Sequence, residues 1–72
     1  MTDDLKIKFG KRLRTLRKQQ NLTQEQLAEA ADISVDFVSL VERGKNAPSF
    51  ETLSRLAKAL DVEVKELFDF RE

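Results

Sequence analysis

Apolar residues recur along the chain at intervals of three and four positions, a spacing that places them on one face of an α-helix. The first series predicts a long helix with Leu5, Phe9, Leu13 and Leu16 on its buried side. That helix should end near Asn21, because Asn tolerates the left-handed backbone conformation that commonly ends helices. No segment alternates apolar and polar residues, so the predicted fold class is all-α.

Capping residues divide the rest of the chain into four shorter helices. Thr23 and Gln26 fit a capping box, in which each side chain bonds the backbone N–H of the other, at the start of the second helix. Ser34 and Ser49 are typical N-cap residues for the third and fourth helices, and Gly44 ends the third. A final short helix is predicted around three apolar residues, Val64, Leu67 and Phe68.

The length of 72 residues and the composition indicate one compact helical domain. We expect residues 1–72 to form five helices, with a short lead over 1–4 and an acidic tail over 69–72. The chain has no cysteine for disulfides and no histidine, the usual general base and metal ligand. Catalysis would need carboxylates or lysines in a pocket for which such a domain barely has room, so we expect no enzyme, no cofactor and no metal.

Membrane and secretion signals are not evident in the sequence. No apolar run approaches the ~20 residues of a membrane span. The start, MTDDLKIKF, lacks the basic flank and apolar core of a secretory signal. We therefore expect a cytoplasmic protein with no membrane partner.

Charge is distributed unevenly although the formal net charge is zero. Seven of the thirteen Lys and Arg residues fall between Lys6 and Lys18, whereas the last twelve residues hold five acids against Lys65 and Arg71. A zero net charge is unlike the basic footprint of a typical nucleic-acid binder. The basic cluster is either a contact surface or a solvated helix face, and composition leaves both interpretations open.

The second and third helices, joined by a tight bend, are typical of a helix-turn-helix. Ala28 lies where the second helix should pass closest to the third, so a larger side chain would push them apart. Asp32 occupies the bend, where the backbone is expected to need a positive φ. Asp and Asn bear that conformation more easily than other non-glycine residues.

The stretch from Leu22 to Leu67, with the preceding Arg-Leu-Arg-Thr-Leu-Arg, resembles the Cro/lambda-repressor-like (XRE) helix-turn-helix family. The matching pieces are LTQEQLAEAADIS, VERGKNAPSFETL and LAKALDVEVKELF, in that order. The family's usual glycines before the second helix and in the turn are Asn21 and Asp32 here. The resemblance implies a compact five-helix lambda-repressor-like domain whose helix-turn-helix is formed by helices 2 and 3.

The resemblance also implies roles for single residues. Thr23 and Gln24 would meet a DNA phosphate through backbone N–H groups and the Gln amide, in agreement with the affinity of helix N-termini for anions. Arg17 and Glu42 match the family's structural salt bridge between the first and third helices. The other implied DNA contacts lie on the recognition helix, about residues 35–42, and next to it: Ser34, Val35, Asp36, Phe37, Ser39, Leu40, Arg43, Lys45 and Asn46.

The predicted recognition helix lacks Arg, Gln and Asn on its outer face, although these are common base readers. Val35 can contact a thymine methyl group, Ser39 can donate or accept, and Asp36 can accept from a cytosine amino group. Asp36 has a second interpretation, a favourable interaction with the positive end of the helix dipole. Val38 and Val41 are predicted to be core.

Together these features predict a sequence-specific, double-stranded-DNA-binding transcriptional regulator of the repressor or controller type. Because one such reader touches few bases, we expect a homodimer on a two-half-site operator. The predicted dimer surface is the C-terminal helix with Leu67, Phe68 and Phe70, joined by Ile7. The alternative is a protein-interaction or antitoxin-like module on the same fold with weak DNA binding, which the poor set of base readers and the zero net charge favour.

Overall fold

The computed structural model describes residues 2–71, with side chains described from residue 5 onward. Four α-helices follow one another along the chain: α1 (Thr2–Gln19), α2 (Gln24–Ala31), α3 (Val35–Glu42) and α4 (Phe50–Leu60). A 3₁₀ helix (Val64–Phe68) comes last, and the part of the chain described here contains no strand. The all-α prediction is therefore confirmed.

The prediction of five α-helices is wrong in its last element. The segment Val64–Phe68 has only five residues, and Glu63 before it makes no side-chain capping bond. So short a segment closes more easily with the tighter hydrogen bonds of a 3₁₀ helix, such as the one from Glu66 N to Glu63 O at 2.9 Å. The C-terminal element is one 3₁₀ turn rather than a fifth α-helix.

The described parts of the expected lead and tail both have local structure. Helix α1 begins at Thr2, so residues 2–4 are helical, while Met1 and Glu72 lie outside the described residues. In the tail, the Arg71 guanidinium donates to both carboxylate oxygens of Asp69, at 2.9 and 3.0 Å. These hydrogen bonds hold the pKa of Asp69 at about 2.

The predicted helix starts are confirmed by their capping hydrogen bonds. Gln26 N donates to Thr23 Oγ1 at 3.0 Å and Thr23 N donates to Gln26 Oε1 at 2.8 Å, which completes the capping box. The Ser34 and Ser49 hydroxyls accept from backbone N–H groups three residues later, at 3.0 and 3.2 Å. Each cap satisfies a backbone donor that has no acceptor within its own helix.

Residues with left-handed backbone conformation mark the helix ends. Asn21 and Asp32 have φ of 60° and 59°, and Gly44 has φ of 76° after α3. Asp61, also at 59°, ends α4 in the same way. Asn and Asp bear this conformation at lower cost than other side chains, so Asn21 and Asp32 can occupy the two positions at which the sequence resemblance implies glycine.

The core gathers side chains from all four α-helices and the 3₁₀ helix, and it fixes how the helices lie on one another. Val38 and Val41 belong to it, as predicted. Leu5 does not, because its side chain lies near the start of α1 at the rim of a surface cleft, where it remains 54% exposed. The buried apolar residues are Phe9, Leu13, Leu16, Leu27, Ala28, Ala31, Val38, Val41, Leu53, Leu56, Ala57, Leu60 and Leu67. Along residues 2–71, no helix has the length and apolar character to cross a membrane.

Gly10 marks the closest approach of α1 to α3. A Cβ atom at this position would lie 2.4 Å from the carbonyl oxygen of Val41 and 2.7 Å from that of Glu42. Backbone atoms at the end of α3 cannot move aside like a flexible side chain, so the contact requires glycine. The sequence analysis did not single out this residue.

We expect Gly10→Ala to lower the free energy of unfolding by about 1–3 kcal/mol through overpacking. This destabilisation should appear although alanine favours helix over glycine by about 1 kcal/mol. Urea denaturation followed by circular dichroism measures the change. Lys11→Ala, at the next, exposed position of α1, is the control and should stay within about 0.5 kcal/mol of the parent. A Gly10→Ala variant as stable as the parent would contradict the close approach.

Candidate nucleic-acid interface

The unit α2–turn–α3 has the arrangement of a helix-turn-helix. Asp32 turns the chain in the left-handed conformation, and Ile33 N then donates to Ala28 O at 3.0 Å. Ala28 is buried, which fits the prediction that only a small side chain is accommodated between the two helices. Helix α2 packs on α3 and α4, and α3 also packs on α1. Helix α3 is therefore supported by α1 and α2, and α2 in turn by α4.

Helix α3 has a buried side and an accessible side. Val38 and Val41 are in the core, whereas Val35 and Asp36 are exposed and Ser39 is half-buried. Leu40 and Phe37 are also half-buried, and the Phe37 ring packs against the core. The positions expected to face a major groove thus lie along the accessible part of one helix.

Ser34 is the N-cap residue of α3, and Asp36 lies two residues further along the chain. The Ser34 hydroxyl already accepts from Phe37 N, so only its hydroxyl proton is left to donate to a phosphate. Asp36 lies in the first turn of α3 and is exposed. Its position suits both interpretations given above, base reading and interaction with the helix dipole.

The start of α2 is a second accessible polar site. The first N–H groups of a helix have no acceptor within the helix. The capping box satisfies those of Thr23 and Gln26, so the N–H groups of Gln24 and Glu25 remain. Thr23 is exposed and Gln24 is half-buried. An anion placed at this end would meet free N–H groups and the positive end of the helix dipole.

The side chain of Gln24 is less free than the sequence implied. Its Nε2 donates to Glu42 Oε1 at 3.0 Å, because the carboxylate lies directly below it at the end of α3. One amide N–H is therefore committed inside the protein, and the second N–H and the amide oxygen remain. An anion at this position would therefore be bound more by backbone N–H groups than by the Gln24 amide.

Arg17 and Glu42 form a bidentate ion pair between α1 and α3. Arg17 Nε lies 2.7 Å from Glu42 Oε2 and Nη2 lies 3.1 Å from Oε1, with the two side chains only 9% and 3% exposed. Arg17 Nη1 also donates to the carbonyl of Leu22 at 2.8 Å, just before α2. The pair ties together three segments, so it fixes the start of α2 relative to the end of α3.

The residues after α3 carry exposed polar and cationic groups. Arg43 is the C-cap residue of α3, and Gly44 then turns the chain with φ of 76°. Lys45 and Asn46 follow and are exposed. We call residues 43–48 the α3–α4 loop. Its cations lie at the same end of α3 as the buried Arg17–Glu42 pair.

The basic cluster of α1 serves two purposes. Arg17 is internal, and Arg12 Nε donates to the carbonyl of Glu66 in the 3₁₀ helix at 2.8 Å. This role of Arg12 had no signal in the sequence, because its partner is a backbone oxygen 54 positions away. Three other cations of the cluster, Lys8, Lys11 and Arg14, line a surface cleft of about 430 Å³ together with Arg12 and Phe70.

Comparison with known proteins identifies a helix-turn-helix family and relatives named as control and repressor proteins. The family model described as "HTH_3: Helix-turn-helix" matches residues 13–67. The chain is 35% identical over 71 residues to control protein C.BamHI of Bacillus amyloliquefaciens, with 97% of this chain and 88% of the relative covered. It is 42% identical over 55 residues to the immunity repressor protein of Bacillus phage phi105, with 76% and 38% covered.

A solved structure shows the same fold. The restriction-modification controller protein C.AhdI from Aeromonas hydrophila superposes with a TM-score of 0.86 at 44% sequence identity. The match covers 88% of this chain and 96% of that one. Similarity in sequence and in fold therefore extends over nearly the whole of both chains.

Proposed function

Since the chain belongs to the HTH_3 helix-turn-helix family, as its sequence resemblance predicted, we propose that it is a sequence-specific, double-stranded-DNA-binding transcriptional regulator of the repressor or controller type. The observation that carries the proposal is the accessible side of α3, placed next to the free N–H groups of α2 and the cations of the α3–α4 loop. Regulation of transcription requires access to DNA, and we therefore propose a cytoplasmic location.

In this proposal, contacts to phosphates position the protein and contacts to bases give specificity. The start of α2, Arg43 and Lys45 bind phosphates on either side of the groove. Val35 meets a thymine methyl group and Ser39 a polar base edge. With so few hydrogen-bonding groups on α3, part of the specificity comes from the shape and stiffness of the duplex.

We further propose a homodimer on two half-sites, with C-terminal aromatic residues at the contact. Phe68 is partly exposed and its ring lies 6.3 Å from that of Phe70. Leu67 must be removed from the predicted surface, because its side chain is 0% exposed in the core of the single chain. Ile7 is accessible on α1 and lies against Gly44, next to the α3–α4 loop.

A protein-interaction module remains the second candidate, because the accessible side of α3 carries a carboxylate, Asp36, and no Arg, Gln or Asn. Selection of binding sites from a random pool of duplexes separates the two functions. A regulator should enrich one sequence with related half-sites, whereas an interaction module should enrich none. An unenriched pool would refute the proposed function.

Asp36→Ala tests how α3 reads its site. If Asp36 accepts from a cytosine amino group, the variant should bind non-specific DNA more tightly, because a carboxylate repels phosphates. Its discrimination at one base pair should fall by about 1–3 kcal/mol. If Asp36 only favours the helix dipole, stability should fall by about 0.3–1 kcal/mol and the selected sequence should stay the same.

The measurement pairs the melting temperature of the variant with its selected site. Glu51→Ala is the matched control, since Glu51 is also an exposed acid in the first turn of a helix, in this case α4. Glu51→Ala should leave the selected DNA sequence unchanged under both interpretations of Asp36. An unaltered site for Asp36→Ala, together with lowered stability, would remove Asp36 from the base-reading residues.

A further inference from the structure

The surface cleft of about 430 Å³ on α1 lies outside the interface described above. Its walls come from α1 and from the chain after the 3₁₀ helix. No acid is among the described residues that line it, although the chain has as many acids as bases. We call it the α1 cleft. The residues lining it are Lys8, Lys11, Arg12, Arg14, Thr15 and Phe70.

The α1 cleft lies away from α3. Gly10 and Arg17 both face the end of α3. Lys8 and Thr15 each precede one of them by two positions, which is a rotation of about 200° around the helix. These two cleft residues therefore lie on nearly the opposite side of α1. A duplex in contact with α3 would leave the cleft open to another molecule.

Contacts within the chain hold the walls of the α1 cleft in place. Arg12 Nε donates to the carbonyl of Glu66 at 2.8 Å, which ties the 3₁₀ helix to α1. The Phe70 ring packs against the core, with its centroid 6.3 Å from that of Phe68. A partner therefore meets a cleft that is already formed, so less conformational entropy is lost on binding.

Three of the four cations lining the cleft are accessible to a partner. Lys8, Lys11 and Arg14 are exposed, and they follow one another at intervals of three residues along α1. Each interval is an axial rise of about 4.5 Å, so positive charge extends along nearly two turns of the helix. Lys11 and Arg14 form no ion pair with an acid of residues 5–71.

The α1 cleft also offers apolar contacts. Phe70 contributes an aromatic ring, and the aliphatic stems of the lysines and arginines provide further apolar surface beside it. The charged ends of these side chains stay in water at the rim. A surface of this kind fits a segment that combines acidic and apolar residues.

We propose that the α1 cleft binds an acidic segment of another protein, whose carboxylates pair with the three exposed cations and whose apolar side chain packs against Phe70. Charge complementarity identifies the chemistry of the partner, because the described residues lining the cleft include four cations and no acid. Complementary charges speed association and disfavour partners that present basic segments. The contact requires no DNA, so it does not depend on the proposed function.

A nucleic acid fits the α1 cleft less well than an acidic segment does. Glu66 Oε1 lies 3.8 Å from Arg12 Nη2 at the edge of the cleft, and Asp69 directly precedes Phe70 in the chain. A DNA duplex carries one negative charge per ~1.7 Å, so it would bring phosphates close to these carboxylates. A short protein segment can place its acids on the cations alone.

Selection from a random peptide library on the immobilised full chain tests the contact. The enriched peptides should combine acidic and apolar residues, and replacing their acids with Asn and Gln should weaken binding. Lys11→Glu and Arg14→Glu should each raise the dissociation constant of these peptides by roughly tenfold or more, because each change removes an attraction and adds a repulsion. Lys45→Glu, which makes the same change in the α3–α4 loop, should leave the dissociation constant unchanged.

Circular dichroism and sedimentation equilibrium check that the variants keep the parent's helix content and association state. Both should be unchanged, because Lys11, Arg14 and Lys45 are exposed. Loss of peptide binding with an unaltered fold supports the contact. A library that yields no enriched sequence would overturn the inference. So would enriched peptides that bind the Lys11→Glu and Arg14→Glu variants as tightly as the parent.

Binding to DNA separates this inference from the proposed function. Lys11→Glu should keep the parent's selected operator and nearly its affinity, since salt screens a charge on the far side of α1. Lys45→Glu should lose affinity for DNA and keep its affinity for the peptides. If Lys11→Glu weakens binding to duplexes as much as binding to peptides, the cleft is a second DNA contact and the inference fails. If the parent selects acidic peptides through the cleft but no DNA sequence, the proposed function fails and the inference stands.

Discussion

Replacing Glu42 with alanine is expected to lower the free energy of unfolding by about 3–5 kcal/mol, the usual cost of breaking a buried ion pair by removing one partner. The carboxylate accepts two hydrogen bonds from Arg17 and one from Gln24. Without it, the Arg17 guanidinium stays buried between α1 and α3 with only the carbonyl of Leu22 as an acceptor. A buried charge without its partner costs more free energy than the intact ion pair contributes to stability.

Denaturant unfolding of the variant measures the destabilisation, and two further proteins identify its cause. Glu51→Ala removes one partner of the exposed Arg55–Glu51 pair and should cost only about 0–1 kcal/mol. The double variant Arg17→Met with Glu42→Met removes both charges, so it should be more stable than Glu42→Ala. A destabilisation below about 1 kcal/mol for Glu42→Ala would show that the pair is not isolated from water.

The helix boundaries followed from the sequence because their signals are local. Thr23 with Gln26, Ser34 and Ser49 each bond the backbone three residues away, so the pattern and its consequence lie in the same short segment. The left-handed residue Asp32 likewise acts on its own backbone. The order and approximate bounds of the helices could be predicted on this basis.

Features that depend on distant neighbours could not be predicted in this way. Gly10 is required only because the end of α3 lies against it, and Arg12 bonds a carbonyl of the C-terminal 3₁₀ helix. Leu5 and Phe50 continue apolar patterns, yet they lie where the helix packing leaves a surface cleft. Spacing along one helix gives the direction of a side chain but not whether another element covers it.

The site residues differ in how they could be found. The family resemblance implied that Val35, Asp36 and Ser39 lie on the outer face of α3, and the structure has the first two exposed and the third half-buried. The hydrogen bond from Gln24 to Glu42 could not be predicted, since it joins residues 18 positions apart across two helices. Which accessible side chain contacts a base depends also on the sequence of the bound duplex, and the protein sequence does not specify that DNA sequence.

Binding to the selected operator is expected to weaken by about 10³–10⁵-fold between about 50 and 200 mM salt, if the dimer makes roughly 6–10 phosphate contacts. Each contact releases condensed counterions from the DNA, so the affinity falls as added salt opposes that release. The structure reduces the number of cations that can contact a phosphate. Arg17 and Arg12 are held by internal partners, whereas Lys45 is exposed in the α3–α4 loop and is available to a phosphate.

Lys45→Ala tests this assignment through the slope of log affinity against log salt. The variant should bind all sequences more weakly and to the same extent, because a phosphate contact carries no base information. The slope should become shallower by about 0.9 for each phosphate that the variant no longer neutralises, or roughly 2 for a dimer. Lys58→Ala removes the same charge from an exposed position at the far end of α4 and should leave the slope as it is in the parent. Equal slopes for Lys45→Ala and the parent would exclude Lys45 as a phosphate-binding residue and leave Arg43 and the start of α2 as the remaining phosphate-binding groups.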